Sequence, residues 1–88
     1  MHVWLFNGEG SHFASGVFSA LGPAEEWIAK HSLSGILTAY PVDEGVFDWA
    51  IARGLFKPKP GKNLDARFIG RFTSAAQEHY HYVDGRRS

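Results

Sequence analysis

The sequence predicts an α+β fold: one mostly antiparallel sheet of about four strands, in the order β-β-α-β-α-(α)-β, with two or three helices packed on one face. Three observations carry this expectation. Short runs rich in β-formers stand near the start, middle and end of the chain, at residues 2–6, 36–40 and 78–83. Between them, residues 24–31 and 46–51 repeat large side chains at helical spacing. The first run and its successor, FASGVF at 13–18, are separated by a glycine-rich turn, so they form a hairpin with a longer loop and pair antiparallel.

Each element has a local reason. HVWLF at 2–6 is apolar on both faces, as an inner strand is, and Gly16 inside the second run marks a bulge or a close approach by another element. Pro23 suits a helix's first turn, Glu25 and Glu26 its positive end, and Lys30 and His31 its negative end. That helix lays Trp27 and Ile28 on the sheet. The stretch LSGILTAYPVDEGVFDWAIARG, 33–54, then reads as a strand covered on both faces or nearly so, a proline stop, an acidic turn and an amphipathic helix. In that helix Asp43 is the expected cap, and Val46, Trp49 and Ala50 share a face that Phe47 and Ile51 widen. Gly54 takes the left-handed position after its end. KPKPGKN, 57–63, is linker-like, exposed and the expected most mobile segment. Asp65 caps a short helix with Phe68 and Ile69 inward. EHYHYV, 78–83, places His79, His81 and Val83 on one face and Tyr80 and Tyr82 on the other.

The expected organisation is a single domain over residues 1–85, with 86–88 a frayed tail. At 88 residues the chain buries somewhat over ~60% of its unfolded surface, which leaves little stability margin. A hydrophobic content of 44% excludes the disordered class. With no cysteine, disulfides and thiolate metal sites are excluded. No run is long enough to span a bilayer and no signal-peptide pattern opens the chain, so the expected location is cytoplasmic, without a membrane role. Net charge is zero, but residues 1–52 carry −5 and residues 53–88 carry +5.

Four groups of residues invite chemistry. His79 and His81 share a strand face and can both reach one metal, with His2 or Asp43 as a completing ligand, although no established metal spacing is present. Asp43, Glu44 and Asp48 form an acidic turn beside Tyr40, where carboxylates serve acid–base work or meet a basic partner; capping and dipole roles explain them more simply. Lys57, Lys59, Lys62, Arg67 and Arg71, interleaved with Phe56 and Phe68, combine phosphate-binding charge with stacking surface. The neutral whole-chain charge argues against a dedicated nucleic-acid binder. Ser11 and His12 are sequence neighbours that point apart on a strand, and no nucleophile elbow or phosphate-binding fingerprint surrounds them.

The phrases VWLFNGEGSHFASGVFS, AEEWIAKHSLSGILTAYPVDEGVFDWAI, FIGRF and EHYHY are similar to those of a family of small, largely bacterial proteins or domains of unknown function. The resemblance covers nearly the whole chain. It implies a shared fold and transfers neither an activity nor a catalytic residue. The reading that results is a non-catalytic protein-binding module, of inhibitor or immunity type in its concrete form, with another protein as partner and no cofactor. Tyr40, Asp43, Glu44, Asp48, His79 and His81 are its candidate binding residues. The alternatives are a small metal-binding protein or enzyme built on His79 and His81, and a weak nucleic-acid binder through residues 57–71.

Overall fold

The structure is a computed structural model that describes residues 1–61 and 65–88; Lys62, and with it part of the linker-like segment, lies outside them. Eight elements follow in order among the described residues: β1 (His2–Gly8), β2 (Ala14–Phe18), α1 (Leu21–Lys30), β3 (Gly35–Pro41), α2 (Val46–Ala52), α3 (Ala66–Gly70), β4 (His79–Val83) and β5 (Arg86–Arg87). The α+β class is as the sequence predicts. The sheet has five strands rather than about four, in the spatial order β2-β1-β3-β4-β5, and every pairing is antiparallel. The added strand is Arg86–Arg87, too short and too charged to show a strand pattern in sequence.

β1 pairs with β2 on one side and β3 on the other, so β2 and β3 run parallel with β1 between them. Their connection must therefore cross β1, and α1 makes that crossing. It lays Ala24 and Ile28 on Trp4, Phe6, Leu37 and Tyr82, with Phe18, Trp27 and Tyr80 around the edge. Phe6, Ile28 and Leu37 are fully enclosed. Burying side chains of this size contributes about 1.5–3 kcal/mol each.

Of the three helices, α1 alone supplies this core, which corrects the expected packing of two or three helices on one face. α2 and α3 gather instead around Phe47, Phe56, Phe68 and Phe72, whose ring centroids lie 4.9–6.3 Å apart. The buried stripe of α2 is Phe47 and Ala50, with Ile51 exposed. Asp43 does not cap α2. Gly45 holds that position without a side-chain bond, and Asp43 turns the chain at φ 62°. Asp65 does cap α3, its Oδ1 accepting from the Phe68 amide at 2.8 Å.

Both longer helices end alike. After α1, the Leu33 and Ser32 amides donate to the Ile28 and Ala29 carbonyls; after α2, those of Leu55 and Gly54 donate to Ala50 and Ile51. This is the Schellman arrangement, and it requires a left-handed residue, supplied by Gly54 in one case and Ser32 at φ 52° in the other.

Glu25 is not a dipole residue, since no acid stands in the first turn of α1. Its carboxylate accepts from Tyr82 Oη and from Arg87 Nε, both at 2.5 Å, tying β4 and β5 to α1. The Arg87 guanidinium also sits 3.9 Å over the Tyr80 ring. Arg87 first and Tyr82 second hold the Glu25 carboxyl below its ordinary 4.5. Tyr82 is pushed up to about 12, by burial first and by its bond to Glu25 second.

Two predictions follow from this packing. A Cβ at Gly35 would overlap the Asn7 carbonyl and meet the Phe6 ring, at a φ of 156° that side chains rarely adopt. Gly35→Ala is expected to cost roughly 3 kcal/mol or more in urea unfolding, by strain and overpacking together. The Glu25 tie sets the pH dependence. Because its folded pKa is depressed, its contribution is complete above pH 4.5 and is lost as pH falls through the folded value. The Tyr82 pKa is raised, so that contribution is complete below pH 10 and is lost as pH climbs toward about 12. Unfolding measured against pH is expected to show Glu25→Gln flattening the acid limb. Tyr82→Phe is expected to lower stability by about 1 kcal/mol at neutral pH. It also shrinks the alkaline limb, leaving the part due to Tyr80, which its bond to Glu78 likewise raises.

Candidate functional site

The sheet face turned away from α1 keeps both apolar and polar side chains accessible. Strand register sets its rows. Val17, Leu5, Thr38 and His79 stand side by side across four strands, and Asn7, Ile36 and His81 form the next row across three. Val3 pairs with Tyr40 beyond them. Val17 is 65% exposed, Val83 54% and Ile36 39%, although all three are β-branched residues of strands. β3 is therefore covered on one face only, with Leu37 and Ala39 toward α1 and Ile36, Thr38 and Tyr40 away from it. Thr38 and Tyr40 are the polar residues that mark the open side.

A hollow of about 380 Å³ lies on this face, lined by Ile36, Thr38, Tyr40, His79 and His81 with the 73–77 loop as its rim. Gln77 fixes that rim. It is buried, its Nε2 donates to the Ala39 carbonyl at 3.1 Å, and its Oε1 accepts from the Ser74 amide at 2.9 Å. A second hollow of about 390 Å³, at the strand ends, shares Ile36 and His81 and adds Glu9, Gly10, Ser11 and Ser88.

The imidazoles of His79 and His81 are exposed and 5.7 Å apart between ring centroids. His79 Nδ1 lies 2.7 Å from the Gln77 carbonyl, which can only accept, so Nδ1 carries the proton. In the neutral ring that leaves Nε2 free to accept a hydrogen bond or ligate a metal. Among the described residues no group of three or more His, Asp or Glu side chains is placed to hold a metal ion.

The structure thus brings Tyr40, His79 and His81 around one hollow. Asp43, Glu44 and Asp48 are exposed at the turn and first part of α2, outside its lining. Lys57, Lys59, Arg67 and Arg71 are exposed; Arg67 and Arg71 line a separate hollow of about 490 Å³ with Asp65, Phe68, Phe72 and Thr73. Phe56 and Phe68 stack on each other, with centroids 5.9 Å apart. Sequence reasoning did not single out Thr38, Ile36, Val17 or Gln77. Alternation in β3 was the available signal for the first two; Gln77 gave none, because its partner Ala39 is 38 residues away.

Among the described residues no helix is long and apolar enough to cross a membrane. Neither a curated protein nor a solved structure matches the chain. A family model, described as a domain of unknown function (DUF7710), matches residues 3–88, and with nearly its whole length covered the chain belongs to that family.

Proposed function

We propose that this chain is a non-catalytic protein-binding module that docks its partner on the open face of the sheet. The observation that supports this is the row structure of that face, where Val17, Ile36 and Val83 stay exposed beside Leu5, Tyr40, His79 and His81. Exposed apolar side chains in contiguous rows, edged by polar groups, are the surface chemistry of interaction sites. In this reading Tyr40 and the two histidines supply hydrogen bonds, and Asp43, Glu44 and Asp48 form an acidic flank for a basic rim on the partner. An inhibitor or immunity-type role is the concrete form. Cytoplasmic action fits a chain without cysteine.

A second reading rests on the shared face of His79 and His81 and the free Nε2 of His79: a metal ion held by both imidazoles, with the remaining ligands supplied by a bound partner. Binding of nucleic acid through residues 57–71 has less support, because the phenylalanines there are engaged with one another.

Ile36→Lys places a charge in the middle of the face, while Lys30→Ala alters an exposed residue of α1 on the opposite side. In affinity capture from cell lysate, one stoichiometric partner is expected with the wild type and Lys30→Ala. With Ile36→Lys its recovery should fall at least about tenfold, a loss of ~1.4 kcal/mol in binding. Equal recovery by both variants, or no partner at all, rejects the docking face. Zinc titration of the purified chain tests the second reading: heat released by wild type and absent in a His79→Ala/His81→Ala double variant is its expected result.

A further inference from the structure

The two edges of the sheet differ in a way that the open face does not account for. β2 is one edge strand, and from Phe13 to Gly22 the chain carries no charged residue and no proline. Phe13 is 81% exposed, and Ala14 and Ser15 are exposed beside it. A strand with one neighbour presents alternate N–H and C=O groups outward, ready to pair with another strand. Natural edges are commonly blunted with charge, proline or extreme shortness. The opposite edge has two of these protections: β5 is two residues long, and both are arginine. β2 has none.

We propose that β2 is a self-association edge, through which two copies of this chain pair antiparallel about a two-fold axis to form one continuous sheet. Four features favour a second copy paired through this strand. The strand is compatible with itself: with Gly16 at the axis, Ala14 comes toward Phe18 and the bulged Ser15 toward Val17, and no like charges meet. Pairing through β5 would instead bring Arg86 and Arg87 of both copies together. Pairing of β2 onto β5 would offer only two residues of ladder, so association closes as a dimer instead of growing into a filament. The ladder also has a defined start, since Ser11 Oγ donates to the Phe13 carbonyl and accepts from the Phe13 amide, satisfying that residue locally. The proposal goes beyond the docking reading, because it concerns an edge and needs no foreign partner.

Light scattering on the purified chain across a wide concentration series tests it. The expected result is a mass rising toward twice the 9.8 kDa of one chain. Val17→Lys sets two cations near the axis and is expected to hold the chain at monomer mass. Ile36→Lys, on β3 away from the edge, is expected to dimerise as the wild type does. Should Val17→Lys fail to fold, amide exchange of the wild type still decides: Ala14–Phe18 amides gain protection with rising concentration if the edge pairs. A wild type that stays monomeric throughout overturns the proposal. So does a Val17→Lys dimer, a dimer lost in Ile36→Lys but kept in Val17→Lys, or exchange at β2 that ignores concentration. Because only the purified chain is present, failure here leaves capture of a partner by the open face intact, and failure of that capture leaves this result standing.

Discussion

The pairing of β1 on both sides is the constraint from which the rest of the structure follows. Once β2 and β3 flank it, both antiparallel to it, the chain between them has to pass over β1. A ten-residue helix accomplishes this, and the face it crosses becomes the core. Two close approaches fix the geometry. The Trp27 ring passes so near Gly16 that a Cβ there would meet it at 3.2 Å, and Gly35 lies directly against the Asn7 carbonyl. One glycine lets helix and sheet approach, and the other lets β3 settle beside β1.

The same crossing puts the core on one face of the sheet and leaves Val17 and Ile36 exposed on the other. Among the described residues α1 supplies the helical side chains of the sheet core, while α2 and α3 share a separate aromatic cluster. In a chain this small, four phenylalanines drawn into their own cluster are unavailable to cover the sheet. The composition of the open face reflects the compromise. Val17, Leu5 and Ile36 alternate with Asn7, Thr38, His79 and His81, so apolar area is exposed but never without hydrogen-bonding groups beside it. Such a mixture tolerates water and still gains from desolvation by a partner.

What could be read from the sequence was local. The period-two alternation of EHYHYV separates the histidines from the tyrosines, and the structure keeps them on opposite faces. Asp65, three residues before Phe68, is read correctly as a cap because a cap needs only its own turn. Misreadings arose where a residue's role depends on a distant one. Glu25 looks like a dipole residue until Arg87, 62 positions on, reaches it. Arg86 and Arg87 look like a frayed end for the same reason. β3 looks covered on both faces because its apolar run is short, although Thr38 and Tyr40 mark the open side. Asp43 reads as a cap by residue type alone, while the helix starts two residues later than that role requires.

The tie between Glu25, Tyr82 and Arg87 shows how the opposite halves of the charge distribution are used. The acidic first part of the sequence and the basic last part meet at one carboxylate, where a buried tyrosine hydroxyl and an arginine share it. The exposed ion pair by itself contributes little in water. Its effect comes through Tyr82, whose hydroxyl would otherwise be buried without a partner, a loss that burial makes costly. Arg87 is thereby drawn against β4 and over the Tyr80 ring. A two-residue strand has almost no ladder to hold it, so β5 is held in place by its side chains more than by its backbone. This leaves the two edges of the sheet with opposite characters: one carries a charged side-chain latch, and the other is a strand without a charged residue.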